Sequence, residues 1–180
     1  MPTDRLTANI KPVAPFNFEL TAGYHTYFQS RYGTDTMEDG VYRRLLDLDD
    51  KLVLVKVRSV GTVDAPELSM ELQGTQLGTE DVDLAKSRVS WLLGVDQDLA
   101  PFYELGRADT AMAGLVEEFY GLHVPHTATV FEALVLAVLG QQISTKVARI
   151  IRILLIETFG PSAEFDGETH YAFPKPKTIW

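Results

Sequence analysis

Two strongly apolar segments, VFEALVLAVL and KVARIIRILLIETFG, are separated by only five residues, GQQIS, from Gly140 to Ser144. Thr129 and Glu132 have capping-box spacing at the start of the first segment, and Gly140 interrupts that segment before Ser144 can cap the second. The second segment shows helical spacing, with one face formed by Val147, Ile150, Ile151, Leu154 and Thr158. The pattern predicts two core helices that meet at a tight polar junction.

This junction has two interpretations on its residues alone. Gln141 and Gln142 lie at its tip, where backbone amides at the start of the second helix are unpaired and can face an anion. Lys146 and Arg149 share a face of the second helix about one turn away and add positive charge. Alternatively, the glutamine side chains satisfy the free backbone groups of an ordinary helix-helix turn. The residues of the junction alone leave both interpretations open.

The first half of the chain carries the alternating patterns of β-strands. The runs Val41–Leu48 and Lys51–Val60 flank Asp49–Asp50, which predicts a β-hairpin. Leu68–Gly74 alternates again and predicts a third strand. Phe16–Ala22 alternates bulky apolar with polar residues and predicts an earlier strand.

An amphipathic helix is predicted after these strands. Thr79 precedes EDVDLAKSRVSWLLG, in which acidic residues crowd the first turn and Gly94 follows the end. A helix packed on a small antiparallel sheet gives a compact α+β unit over residues 16–95. Residues 1–15 are then an N-terminal tail.

The remaining residues, 96–180, lack strand patterns. Leu99–Leu105 and Asp109–Tyr120 have helical periodicity, and the two segments around GQQIS follow. We therefore expect a second, helical domain over residues 96–180.

Composition limits the chemistry of the chain. Cysteine is absent, which excludes disulfides and thiolate metal sites, and the four histidines lack ligand spacing, so no metal site is expected. The net charge of -9 opposes binding to a polyanion, but residues 1–124 hold 11 basic and 20 acidic residues, whereas residues 125–180 hold five of each. No signal-like or bilayer-length apolar run occurs, which favours an intracellular, cytoplasmic protein.

The run FEALVLAVLGQQISTKVARIIRILLIETFG, followed by YAFPKPKTI, resembles the helical domain of DNA glycosylases of the helix-hairpin-helix superfamily, specifically the 3-methyladenine DNA glycosylase II branch. The upstream α+β unit is similar to the small TATA-binding-protein-like domain of that branch, with PFNFELTAGY similar to its opening strand. The resemblance covers about residues 15–180. It implies a small antiparallel sheet with a packed helix, followed by an incomplete all-α helix-hairpin-helix domain.

The resemblance also implies a function. Enzymes of this branch flip alkylated bases such as 3-methyladenine out of double-stranded DNA and hydrolyse the N-glycosidic bond, as the first step of base excision repair. They need no metal or cofactor. A nucleoid-associated location in the cytoplasm follows from the same resemblance.

The resemblance also implies roles for individual residues. Gln142 matches the wedge that fills the gap left by the flipped base, although other members can carry an apolar residue there. Gln141 matches a glutamine near the flipped base. Tyr24 matches an aromatic wall of the base pocket, where an electron-poor alkylated purine would stack; an ordinary core aromatic is the alternative. The predicted DNA-binding set is completed by the cap and the basic residues of the second helix: Ser144, Lys146 and Arg149.

The catalytic residue of the family has no match in this chain. The family's hairpin and catalytic Asp follow the segment that matches YAFPKPKTI, so both are expected beyond Trp180. Asp166 is predicted in a loop after Pro161 and Glu132 is assigned to its helix cap, so neither is taken as catalytic.

We therefore expect these 180 residues alone to be inactive and to leave apolar helix faces uncovered, which favours association. Two alternatives to a glycosylase remain. One is a non-catalytic DNA-binding or damage-recognition module. The other is a helical protein-interaction domain, which the charge of -9 favours.

Overall fold

An antiparallel sheet of six strands organises the computed structural model, which describes residues 3–25 and 31–179. The strands lie in the order β1-β6-β5-β4-β3-β2. Their bounds are β1 Asp4–Ile10, β2 Arg31–Tyr32, β3 Asp35–Glu38, β4 Val41–Leu48, β5 Lys51–Ser59 and β6 Leu68–Gly74. The predicted hairpin is confirmed as β4 and β5, and the predicted third strand is β6, which pairs with β5. Asp49 and Asp50 form the tight turn, both with positive φ.

Six helices are formed by the described residues. They are α1 Phe18–His25, α2 Thr79–Leu93, α3 Ala100–Ala108, α4 Ala113–Glu118, α5 Val130–Leu139 and α6 Thr145–Phe159. A short hairpin follows, formed by β7 Ser162–Phe165 and β8 Glu168–Tyr171, and a 3-10 turn spans Pro176–Thr178. The fold is thus a mixture of helices and an antiparallel sheet, as the sequence predicted at that level.

The main core lies between one face of the sheet and two helices. Strand β5 contributes Val53, Val55 and Val57 to it, and α1 contributes Phe18 and Ala22. The predicted amphipathic helix is confirmed as α2, whose buried face consists of Ala85, Val89, Leu92 and Leu93. Gly94 ends α2 in the left-handed conformation (φ 59°), which glycine adopts without steric cost.

The opposite face of the sheet is covered by the β7–β8 hairpin. Phe165 and Ala172 form a second buried cluster with Leu45 of β4 and Leu54 of β5. The prediction that residues 96–180 contain helices and no strands is therefore wrong, because β7 and β8 pair with each other and pack on the sheet. The division into residues 16–95 and 96–180 remains a prediction.

Two sequence predictions at the start of the chain are wrong. Residues 4–10 are the edge strand β1, paired with β6 along its length, and not part of a tail. Residues 16–22 do not form a strand, because α1 begins at Phe18. Asn17 caps this helix by accepting a hydrogen bond from the Leu20 amide at 3.1 Å, and Phe18 and Ala22 are buried one turn apart. In so short a segment, the helical spacing of four residues between Phe18 and Ala22 determined the structure, and the apparent alternation of a strand did not.

The helix expected over Asp109–Tyr120 is shorter than predicted. Asp109 accepts hydrogen bonds from the amides of Ala111 and Met112, so it forms a turn before α4 begins at Ala113. The helix expected over Leu99–Leu105 is α3, which continues to Ala108. Within the described residues, no helix combines the length and apolarity needed to cross a membrane.

Candidate nucleic-acid interface

The polar junction forms a compact turn between two helices. Helix α5 ends at Leu139, where the Gly140 amide donates to Leu136 O at 3.0 Å. Helix α6 starts after Ser144, whose Oγ accepts from the Val147 amide at 3.3 Å, so the predicted cap is confirmed. The residues from 140 to 147 are all solvent-exposed. The junction is therefore a projecting surface turn.

The two glutamines at the turn present free side chains. Gln142 has φ 59°, in the left-handed region, which costs a residue with a Cβ roughly 1 kcal/mol. Within the described part of the chain, neither Gln141 nor Gln142 uses its side-chain amide in a hydrogen bond, and Ser144 supplies the cap instead. The interpretation in which these amides satisfy the backbone of the turn is therefore wrong for this structure. Their donors and acceptors face solvent.

The electrostatic character of the turn is positive. The first turn of α6 contains no acidic residue, and the helix dipole places partial positive charge at its start. Lys146 is exposed there. Arg149 lies one turn further along and is only half-exposed, and its Nε is buried with no hydrogen-bond partner in the described residues. An anion approaching the turn would meet Lys146 first.

Tyr24 is on a separate element. It lies on α1, with 46% of its surface exposed, so it is not a fully buried core aromatic. The other predicted site residues, from Gln141 to Arg149, are brought together by the junction and the first turns of α6.

The apolar face predicted for α6 does not lie in the core of this structure. Val147, Ile150, Ile151 and Leu154 are between 37% and 57% exposed. The buried face of α6 is instead formed by Ala148, Arg152 and Ile156. This face packs closely on the turn at Gly33, where a Cβ atom would lie 2.6 Å from Arg152 Nε.

A buried group of charges joins the two helices to the sheet. Arg44 of β4 donates from Nη1 to both carboxylate oxygens of Asp35, at 2.9 and 3.1 Å. From Nη2 it donates to both oxygens of Glu132, at 3.0 and 2.8 Å. Arg152 Nη2 lies 3.8 Å from Asp35 Oδ2 and 3.6 Å from Glu132 Oε1. We call these four residues the Arg44 network.

The network is almost completely shielded from solvent. None of its four side chains exposes more than 6% of its surface, and two cations face two anions. Burial disfavours the charged form of Arg44, but the neighbouring carboxylates of Asp35 and Glu132 outweigh it and raise the pKa of Arg44 well above its usual value. Tyr42 donates its hydroxyl to Asp35, and burial followed by the Asp35 charge raises the pKa of Tyr42.

Glu132 has a role that the sequence prediction missed. Thr129 Oγ1 does accept from the Glu132 amide at 3.0 Å, as the capping-box spacing predicted. The Glu132 carboxylate, however, accepts from Arg44 and from the Ala128 amide. It is therefore an ion-pair partner rather than only a cap. The sequence signal for a buried role of Glu132 is its position within the apolar run VFEALVLAVL, and its spacing from Thr129 explains that position equally well as a helix cap.

Asp166 lies in a loop after Pro161, as predicted, and this loop is the turn of a hairpin. It lies at the tip of the β7–β8 hairpin, with φ 53°. Its carboxylate accepts from Lys56 Nζ at 2.6 Å, Gln73 Nε2 at 3.1 Å and Arg5 Nη2 at 2.7 Å. The hydrogen bond from Lys56, followed by that from Gln73, lowers the pKa of Asp166. Both carboxylates considered above are thus engaged in structural ion pairs. No cluster of potential metal ligands occurs in the described ranges.

Similar proteins give this arrangement a context. No protein-family model matches the chain. The DNA-3-methyladenine glycosylase of Bacillus subtilis (strain 168) is 41% identical over 85 residues, which cover 47% of this chain and 28% of the relative. The probable bifunctional transcriptional activator/DNA repair enzyme AlkA of Mycobacterium tuberculosis (strain ATCC 25618 / H37Rv) is 30% identical over 162 residues, or 89% of this chain and 31% of the relative.

The fold is shared with a solved glycosylase. The 3-methyladenine DNA-glycosylase from Archaeoglobus fulgidus superposes with a TM-score of 0.79 over 96% of this chain and 57% of that one, at 24% identity. The chain spans less than a third of the length of the two curated relatives above. Sequence and fold agree, and the chain belongs to the helix-hairpin-helix superfamily of DNA glycosylases.

Proposed function

We propose that the protein acts in the repair of alkylated bases in double-stranded DNA, by flipping out the base and hydrolysing its N-glycosidic bond. The observation that carries this proposal is the exposed GQQIS turn. Its two free glutamine amides stand beside the positive end of α6 and Lys146, on a protein whose relatives are named as 3-methyladenine glycosylases and DNA repair enzymes. We further propose an intracellular location, where such DNA would be met.

Gln142 is the proposed wedge. Its side chain is exposed and has no partner in the described residues, so inserting it into a base stack would not break a contact within the protein. An amide of this length can fill the space of an extruded base and hydrogen-bond the base left unpaired. Gln141 is proposed to lie near the flipped base, and Tyr24 to form an aromatic wall of its pocket.

Phosphate contacts are assigned to the start of α6. Lys146 and the amides after Ser144 offer positive charge and hydrogen-bond donors to one phosphate. Arg149 would join them only if its half-buried side chain swung outward. At the level of architecture, we propose that residues 16–95, together with strand β1, are the TATA-binding-protein-like domain and residues 96–180 the first part of the helix-hairpin-helix domain.

These residues are proposed to bind DNA and unstack a base without cleaving the bond. Glu132 and Asp166 both have cationic partners, so neither offers a free carboxylate to stabilise the developing positive charge on the sugar. The same observation favours the second candidate function, a non-catalytic DNA-binding module.

A paired substitution tests the proposal. The 180-residue chain is titrated with a duplex that contains 2-aminopurine, whose fluorescence rises when the base is unstacked. Gln142→Ala should reduce the fluorescence change at saturation at least five-fold and alter the duplex dissociation constant less than two-fold, because phosphate contacts dominate affinity. Lys146→Ala should do the reverse, weakening binding and lowering the salt dependence.

The controls separate a specific role from general disturbance. Gln76→Ala removes another exposed glutamine with positive φ, which is distant from Gln142 in the sequence. It should change neither the fluorescence nor the duplex dissociation constant. Loss of both signals together in Gln142→Ala would refute the wedge. Binding that is indifferent to salt would refute the DNA contact altogether. Release of an alkylated base by this chain would refute the proposal that these residues bind DNA and unstack a base without cleaving the N-glycosidic bond.

A further inference from the structure

The Arg44 network is a buried polar connection between the sheet and the helices that carry the GQQIS turn. Arg44 and Glu132 are 88 residues apart in the sequence and meet through two hydrogen bonds. Asp35 comes from β3, Arg44 from β4, Glu132 from the first turn of α5 and Arg152 from the middle of α6. One buried group therefore touches both helices of the junction and two strands of the sheet.

The network is better suited to fixing an orientation than to adding stability. Buried ion pairs gain little over well-packed apolar residues of similar volume, because their desolvation offsets their attraction. A planar guanidinium held between two carboxylates, one at each terminal nitrogen, is however restricted in the direction of its plane. Arg44 is held in this way, because Nη1 donates to both oxygens of Asp35 and Nη2 to both oxygens of Glu132, which fixes the direction of Glu132 relative to the β-sheet.

Apolar contacts do not provide the same constraint. Helix α5 exposes Leu134 and Val138, and α6 exposes its Ile150 face. The buried residues of α6 are limited to Ala148, Arg152 and Ile156. The orientation of the helix pair therefore depends on few fully buried side chains, and charged groups are central among them.

We infer that Arg44 is a positioning residue, which holds α5 and α6 at one angle to the sheet and so places the Gln141–Gln142 turn. Helix α5 has ten residues and is about 15 Å long, with Glu132 at one end and the glutamines beyond the other. A tilt of about 10° at Glu132 would move the turn by roughly 3 Å over that length, and such a displacement is large for a group that must enter a base stack. The consequence for DNA rests on the proposed function.

The absence of cysteine allows a direct measurement of this angle. Spin labels are attached after Thr7→Cys on β1 and Ala137→Cys near the end of α5, both at exposed positions. The distance distribution between them is measured by double electron-electron resonance. Arg44→Lys keeps the charge but loses the two-sided geometry, and Glu132→Gln keeps the shape but loses the charge. Either variant should shift the mean distance by at least 2 Å or double the width of the distribution.

Stability is controlled by a core substitution on the opposite face of the sheet. Leu54→Ala, in the cluster with Phe165, should lower the unfolding temperature and leave the distance distribution unchanged. An unchanged distribution in the folded Arg44→Lys and Glu132→Gln proteins would overturn the inference, since the network would then only stabilise. Failure of both variants to fold at 10 °C would also overturn it, because orientation and stability could not be separate roles.

The same variants are then assayed with the 2-aminopurine duplex. Arg44→Lys should lower the fluorescence change at saturation at least three-fold, with less than a two-fold effect on the duplex dissociation constant. Altered distances with a normal fluorescence change would refute the link between orientation and base unstacking. If the unmodified chain unstacks no base but the distances still shift, the proposed function fails and the orientating role of Arg44 stands.

Discussion

At the scale of single residues, Asp166 shows how a charge can join distant parts of the chain. Arg5, Lys56 and Gln73 all donate to its carboxylate, so β1, β5 and β6 are tied to the tip of the β7–β8 hairpin. The sequence offers no signal for this contact, because the acceptor lies 93 to 161 residues from its donors.

Asp166→Asn should destabilise the chain at neutral pH and much less in acid. The folded-state pKa of Asp166 is lowered, so its contribution is present above the ordinary value of 3.8 and is lost as the pH falls through the folded-state pKa, below 3.8. Urea unfolding of the variant and the unmodified chain, from about pH 7 to about pH 2.5, should show two curves that converge in acid.

Glu164→Gln serves as the matched control, since Glu164 is an exposed acid on the same hairpin without an ion pair in the described residues. It should change stability little at any pH. A difference between Asp166→Asn and the unmodified chain that stayed constant with pH would contradict an electrostatic role.

At the scale of elements, α6 depends on its N-terminal cap more than a core helix would. Much of its surface is exposed, so packing adds less to its stability, and its first turn has no acidic residue to complement the dipole. Ser144→Ala removes the bond to the Val147 amide and should lower the free energy of unfolding by about 1 kcal/mol.

Hydrogen exchange of the Val147 amide gives the local measurement. It should quicken in Ser144→Ala, while exchange of the Ala148 amide, which donates to the Ser144 carbonyl, should change less. Thr145→Ala is the control at the neighbouring exposed position. Equal stability of Ser144→Ala and the unmodified chain would show that the cap is energetically redundant.

At the scale of the whole molecule, the helical half displays an unusual amount of apolar surface. One apolar surface is the α6 face from Val147 to Leu154. A second is an apolar groove of about 460 Å³ between α3 and α4, which is lined by Phe102, Met112, Leu115 and Phe119 among others. Surface of this kind favours association.

We therefore expect the average mass in sedimentation to rise with concentration, and Ile150→Glu, at the centre of the α6 face, to reduce that rise. Thr158→Glu adds the same charge at an exposed polar position near the end of α6 and should have little effect. A monomer at all concentrations, with Ile150 intact, would contradict the expectation.

Periodicity and capping in the sequence determined the strands β4, β5 and β6, the helix α2 and the two helices around GQQIS, because these signals are local and strong. The same signals, with the resemblance, located the candidate turn and its residues. Periodicity misassigned Phe16–Ala22, where the segment is too short for two periods to be distinguished. It identified the apolar face of α6, which is largely exposed, in agreement with the expectation that apolar helix faces would be uncovered but not with the prediction of a core helix.

Only the tertiary structure decided how these elements are held together. Arg44, Asp35, Glu132 and Arg152 read as ordinary charged residues in the sequence, since ion pairing between them requires chain segments up to 117 residues apart to meet. Which charges are buried, and therefore which must be paired, depends on how strands and helices pack. Local patterns predict elements, whereas the desolvation of a charge is a property of the assembled fold.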